Sequence, residues 1–239
     1  MFHNPVTQIS DTKGKFIAFL DADDRYQPDF LAGIARLIQE FPAAAVFCSA
    51  YNCFWENGTQ STRRMPAAAS GGALLVEDFY SAWCKTAFTC ASAIVVRSSL
   101  FDDPGLRFPP GEKLGEDQDL WFRIAEQATM AYLNSPLVDY RMGVLGSATQ
   151  ANPALGVLPC YRRLGERLAS GTVPQPLRRG AQRLLASHLL NIARTHIALG
   201  NLHEARALMA DQRARANPVY FLRTLLAVAS ATLRPSSQT

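Results

Sequence analysis

Residues 14–24 read Gly14-Lys15-Phe16-Ile17-Ala18-Phe19-Leu20-Asp21-Ala22-Asp23-Asp24, and the fold is decided by how this stretch is understood. The apolar run Phe16–Leu20 is too short for a lone helix and suits a buried strand. It ends in three carboxylates, which repel one another and raise each other's pKa unless a cation, a hydrogen-bond network or solvent compensates. In open α/β sheets ligands bind beyond the carboxyl ends of strands, where these acids would sit. A hard divalent cation with oxygen ligands, its shell completed by substrate phosphate, accounts for them economically.

Working outward, Pro28 and the spacing of Phe30, Leu31, Ile34, Leu37, Ile38 and Phe41 predict a helix over about 28–40. Residues 43–49 form a second apolar run, so strand, helix and strand succeed one another as in a βαβ unit with a parallel sheet. Asn57-Gly58 predicts a hairpin turn. Leu74–Ala82 fits a helix, and Thr89–Arg97 a β-branched strand. Residues 102–115 are crowded with Pro, Gly and Asp; a long irregular loop of this kind is more often functional than idle. It leads into Glu116-Asp117-Gln118-Asp119-Leu120-Trp121. There Gly115 precedes a helix whose first turn carries three acids, an arrangement that the helix dipole alone also favours.

Composition limits the alternatives. The chain has 239 residues, 48% hydrophobic and 18% charged, with a net charge of +4, which suits one sizeable globular domain and an appendage. The charge is unevenly spread, net −5 over residues 1–150 and net +9 over residues 151–239. The five cysteines have no Cys-x-x-Cys spacing and read as small buried residues in a reducing compartment. His3, His188, His196 and His203 match no common zinc spacing. Neither a signal-peptide layout nor a membrane-spanning apolar run is evident, so a cytoplasmic location is expected. No nucleic-acid reader motif accompanies the arginines.

In order and spacing, residues 14–24, Ala93-Ile94-Val95-Val96-Arg97, residues 115–125 and Val138-Asp139-Tyr140-Arg141 resemble family 2 glycosyltransferases of the GT-A fold. The resemblance implies an α/β, Rossmann-like and mostly parallel sheet over residues 1–150, followed by an all-α region over 151–239. It implies an inverting transfer of a sugar from a nucleotide diphosphate sugar to a hydroxyl of a glycan or lipid-linked acceptor, in cell-surface polysaccharide or glycan synthesis. Asp21 and Asp23 would form an Asp-x-Asp motif, with Asp23 binding Mn2+ or Mg2+ and Asp21 nearer the nucleotide ribose. Asp24 and Arg141 would belong to the same nucleotide-sugar site, a helix N-cap role being the alternative for Asp24. Asp117 would be the general base, with Glu116 beside it shaping the acceptor site.

Two features depart from the family pattern. Only some thirteen residues precede Gly14, where members carry the first strands of the nucleotide pocket, so an N-terminally truncated chain with little activity of its own is expected. Met142-Gly143 stands where many members place a His. A non-catalytic remnant that binds a partner through its helices is a second expectation. A haloacid-dehalogenase-like phosphatase is a third, weakened by Asp24 directly after the second Asp of the motif. An EF-hand fails, because Tyr26 and Ala32 stand where Gly and Glu are needed. The helices after residue 150 contain one tetratricopeptide-like hairpin around Gly200-Asn201, and their positive charge suits contact with an anionic membrane surface.

Overall fold

The computed structural model describes residues 9, 12–66, 68–112, 114–143 and 155–233. It divides into two compact units, Met1–Ala151 and Asn152–Thr239. His3, the irregular stretch 1–8 and the junction near Ser147 lie outside the described residues.

Seven strands in the first unit form one mixed sheet: β1 (Phe16–Ala18), β2 (Arg25–Tyr26), β3 (Val46–Phe54), β4 (Gln60–Arg63), β5 (Ala73–Val76), β6 (Ile94–Arg97) and β7 (Met130–Arg141). The order runs β1-β6-β3-β7-β2, with β4 on β3 and β5 on β7. The α/β class expected from the sequence is present. The expectation of a mostly parallel sheet is not met in detail, since among the described residues only β3 and β7 pair in parallel. The cause is β6, which lies between β1 and β3 and is antiparallel to both. The predicted βαβ crossover therefore passes over one intervening strand.

Helix α1 (Phe30–Glu40) buries Phe30, Ile34 and Leu37, positions spaced four and three apart that form one face. They pack in one cluster with Phe47 and Tyr51 of β3 and with Leu133, Leu137 and Val138 of β7. Burying each large side chain contributes roughly 1.5–3 kcal/mol. The helix follows Asp29 rather than Asp24, which removes the N-cap alternative for Asp24. The β3–β4 hairpin turns at Gly58 with φ 81°, as Asn57-Gly58 predicts.

The expected helix over 74–82 is two elements. Ala73–Val76 pairs antiparallel with the start of β7, and α2 (Phe79–Lys85) begins after Asp78, whose carboxylate accepts the Ser81 N–H at 3.0 Å. The edge of β7 needs a partner there, and this demand outweighs the local helical spacing.

β7 is long and irregular in its middle. Its pairing with β3 runs Ser49 to Leu133, then Ala50 to Pro136, then Tyr51 to Val138. Pro136 lacks an N–H and sits at this break, as proline in a sheet interior must. The strand beyond it carries Asp139 and Arg141 towards β2, which pairs Arg25 with Asp139.

The second unit is helical, with α4 (Pro159–Ala169), α5 (Arg178–Ala198), α6 (Leu202–Ala210) and α7 (Pro218–Leu233); α3 (Glu116–Ala125) belongs to the first. Leu189, Leu190, Ala193, Ala205, Met209, Ala214 and Val228 form its core. His188 stacks on Tyr161 at 3.8 Å and its Nε2 accepts the Leu158 N–H at 3.2 Å. The imidazole must be neutral to do so, and burial lowers its pKa to about 4.

Candidate active site

The acidic turn after β1 is closed by its own backbone, the Asp24 N–H donating to the Asp21 carbonyl at 3.1 Å. Ser92, in the short turn before β6, locks it. Its hydroxyl accepts the Asp21 N–H at 3.0 Å and donates to Asp24 Oδ2 at 2.5 Å. Asp24 Oδ1 accepts the Arg141 N–H at 3.0 Å. Asp24 is thus buried and uses both oxygens to tie three segments together, while Asp21 and Asp23 stay exposed. Both carboxylate oxygens of Asp24, expected at the nucleotide-sugar site, are engaged in this bracing. Arg141 contributes its backbone here, and its guanidinium pairs with Glu56 at 2.5 Å. Tyr26 adds a further tie, its hydroxyl donating to the Phe19 carbonyl at 2.6 Å.

The second acidic cluster begins at Gly115, whose φ of 77° is left-handed and favours glycine. The chain turns there into α3, which buries Leu120, Trp121, Phe122 and Ile124. Phe19, two residues before Asp21, meets Trp121 edge-on at 5.4 Å and Phe108 of the preceding loop at 5.8 Å. Phe108 and Trp121 meet in turn at 6.0 Å. This aromatic triad joins the end of β1, the loop over 102–115 and the start of α3.

The loop is also held by charge. Asp119, 1% exposed, forms an ion pair with Arg123 at 2.8 Å, and Arg123 donates to the carbonyls of Gly105 and Arg107. The three acids of α3 therefore divide. Asp119 is structural, whereas Glu116 and Asp117 keep partial solvent contact. The Asp117 carboxylate accepts the Gln118 N–H at 2.7 Å.

The two clusters lie within electrostatic reach of each other. Burial and then the Glu116 charge push the Asp117 carboxyl up to about 6, and Asp21 adds to this. Glu116 is raised mainly by burial, with Asp21 again contributing. Asp21, open to solvent on one side, is itself raised by the partial loss of water around its carboxylate and by Asp23. Asp24 rises to about 6, chiefly through burial, against the hydrogen bonds of Ser92 and Arg141. A carboxyl poised near 6 is suited to accepting a proton near neutral pH.

Among the described residues no group of three or more His, Cys, Asp or Glu could hold a metal ion unaided. Asp21 and Asp23 supply two exposed carboxylates of the hard-oxygen type. A dication of the Mg2+ class binds through one or two carboxylates with water and substrate phosphate, so the donor set fits that mode and no closed cage. Cys48, Cys53 and Cys160 are buried.

Ser92, Phe19 and the Asp119–Arg123 pair were not foreseen from sequence. Only the last left a signal, the four-residue spacing of opposite charges on a helix.

Comparison with known proteins follows the same lines. Residues 6–103 match the model of glycosyl transferase family 2. A search of curated proteins gave no match. Among solved structures, S. aureus TarS 1-349 in complex with UDP-GlcNAc is similar at a TM-score of 0.61 and 16% identity, over 95% of this chain and 70% of that one. The same protein in complex with UDP gives a TM-score of 0.55 at 14% identity, over 98% and 71% of the two chains. Without a ligand in its description it gives 0.53 at 14% identity, over 98% and 71%. Over residues 6–103, then, the chain resembles glycosyl transferase family 2, and its fold is that of the similar glycosyltransferase structures.

Proposed function

We propose that the first unit transfers a sugar, with inversion, from a nucleotide diphosphate sugar to a hydroxyl of a glycan or lipid-linked acceptor. The observation that supports this is the Phe19–Trp121 contact at 5.4 Å, which sets the braced turn of Asp21 and Asp23 against the helix start bearing Glu116 and Asp117, with Asp21 adding to the raised pKa of both acids. The structural relative crystallised with UDP-GlcNAc supports a nucleotide-sugar donor.

Asp117 takes the proton of the acceptor hydroxyl as its oxygen attacks the anomeric carbon. The bond from that carbon to the diphosphate oxygen breaks, and the diphosphate leaves with the electron pair. Glu116 flanks the acceptor and keeps the Asp117 carboxyl basic. Asp23, with Asp21, would hold Mn2+ or Mg2+, which supplies countercharge to the departing diphosphate. Asp24, Ser92 and the Arg141 backbone fix the turn that presents these two carboxylates.

The decisive assay is release of nucleoside diphosphate from a panel of nucleotide sugars, with Mn2+ and with EDTA, alongside p-nitrophenyl phosphate hydrolysis. Metal-dependent turnover lost in Asp117→Asn supports transfer. Phosphatase activity abolished by Asp21→Asn would replace it with a phosphatase, and silence in both assays would leave a non-catalytic binding module.

The second unit favours a membrane-held acceptor for cell-surface glycan synthesis. Helix α7 leaves Val219, Leu222, Leu225 and Leu226 between 47% and 65% exposed, beside exposed Arg223. Residues 151–239 hold twelve arginines against three acids. An apolar stripe with cationic neighbours suits shallow seating on an anionic leaflet. No described helix is long and apolar enough to cross a membrane. Co-sedimentation with phosphatidylglycerol vesicles that is weakened by salt and by Leu222→Asp is expected; equal sedimentation with neutral vesicles would count against it.

A further inference from the structure

Apart from the acidic site, the first unit contains a cavity of about 490 Å3 beside the β3–β4 hairpin, whose lining includes Thr62, Arg63, Arg64, Ser70 and Thr86. No carboxylate lines it. Arg63 and Arg64 are exposed, and among the described residues neither forms an ion pair. A pair of solvated surface arginines would need no supporting structure. Here the opposite is found.

The loop after Arg64 has no regular structure, yet the buried interior holds it in shape. Asn134, 1% exposed, donates to the carbonyls of Ala68 at 2.7 Å, Ala69 at 3.1 Å and Met65 at 3.4 Å. The buried Tyr132 hydroxyl accepts the Met65 N–H at 3.1 Å and donates to Asn134 Oδ1 at 3.0 Å. Below these, the Asn134 backbone bonds Gly71 and Gly72 at 3.0 and 2.8 Å. A fully satisfied buried polar network fixes one geometry. What it fixes is the wall of a cavity lined by Arg63, Arg64 and three hydroxyl-bearing residues, of which Thr62 also donates to Asn52 Oδ1 at 2.9 Å.

We propose that this cavity binds a phosphate-bearing small molecule, with Arg63 and Arg64 on the phosphate oxygens and the hydroxyls of Thr62, Ser70 and Thr86 around it. Guanidiniums match phosphate geometry in a two-pronged fashion, and charge-assisted bonds of this kind are the strong ones. The volume lies within the roughly 300–1,000 Å3 of small-molecule sites, so the ligand carries an organic body as well as its phosphate. The site is opposite in sign to the turn at Asp21–Asp24 and needs no dication. It does not depend on the transferase reading.

Calorimetric titration of the full chain with inorganic phosphate, ribose 5-phosphate, and UDP with and without Mn2+ tests this. Ribose 5-phosphate is expected to bind without metal and more tightly than phosphate. Its affinity should fall at least tenfold in R63Q/R64Q and less in R63K/R64K, with circular dichroism unchanged and UDP–Mn2+ binding retained. The proposal fails if wild type binds neither phosphate compound without metal, or if R63Q/R64Q binds them as wild type does. Parallel loss of UDP–Mn2+ binding in R63Q/R64Q would overturn it differently, by making the cavity part of the donor's diphosphate site.

Discussion

Phe19 and Trp121 meet edge to face at 5.4 Å, and through this contact the strand bearing one acidic cluster is set against the helix bearing the other. Both rings lie outside the chemistry, yet their contact governs where Asp21 sits relative to Asp117. Trp121→Leu should leave the acids intact and lower turnover more than it lowers nucleotide affinity. Removing the aromatic packing costs on the order of 1–3 kcal/mol. Denaturant unfolding and steady-state kinetics on the same variant separate the two effects.

Asp117→Asn should reduce turnover about 10^2–10^4-fold, the usual contribution of a general base, with nucleotide binding little changed. The variant's amide oxygen can still accept the Gln118 N–H that Asp117 accepts at 2.7 Å. In wild type, turnover should rise with pH through about 6, because the base works deprotonated and its carboxyl is held near that value. A flat profile from pH 5 to 8 under conditions where chemistry limits the rate would falsify the assignment.

Stability carries the complementary signature. A carboxyl raised from 3.8 to about 6 binds its proton more tightly folded than unfolded. Its contribution is therefore most favourable below about pH 4 and is lost as pH rises through 6. Asp117→Asn removes that penalty, so the variant should exceed wild type in stability at pH 7–8, by roughly 1–2 kcal/mol after discounting for partial solvent contact. The difference should vanish near pH 4. Thermal melts of both proteins across that range measure it.

His188 acts in the reverse sense. Its folded pKa of about 4 lies below the ordinary 6.5, so the unfolded chain takes up a proton first as pH falls. Stability of the helical unit is complete above 6.5 and should decline between 6.5 and 4. His188→Gln should flatten this part of the profile, which urea titrations followed by helical circular dichroism would register.

The Asp119–Arg123 pair is expected to behave as a buried ion pair does. Arg123→Ala leaves the carboxylate of Asp119, 1% exposed, without its cation and frees the carbonyls of Gly105 and Arg107. A cost of about 3–5 kcal/mol follows. Adding Asp119→Asn to that variant should recover part of the loss, as a double-mutant cycle would report.

Much of this was legible in the chain because it was locally encoded. The 30–34–37 spacing gives α1, Asn57-Gly58 the hairpin, and Gly115 the start of α3. Elements defined by distant partners were not. β6 inserts between β1 and β3 because of pairing over some fifty to eighty residues of sequence, and no local period records that. Residues 73–76 have helical spacing and become a strand because the edge of β7 is open beside them. The same limit applies to the site. Adjacent carboxylates announce themselves, whereas Ser92 is unremarkable until its hydroxyl is seen between Asp21 and Asp24. Ser92→Ala should cost about 1–3 kcal/mol by leaving those groups unpaired.

The break at Pro136 makes β7 sensitive to length. Ser49 faces Leu133 before it and Tyr51 faces Val138 after it, so the strand takes up an odd surplus of residues across that gap. Odd surpluses exchange the two faces of a strand. Deleting Ser135 would therefore turn Asp139 and Arg141 over together and withdraw the Arg141 N–H from Asp24, although both residues would keep their identities. In this part of the molecule a deletion is predicted to be more harmful than most substitutions, and a deletion scan across 134–137 scored by solubility and turnover would map that intolerance directly.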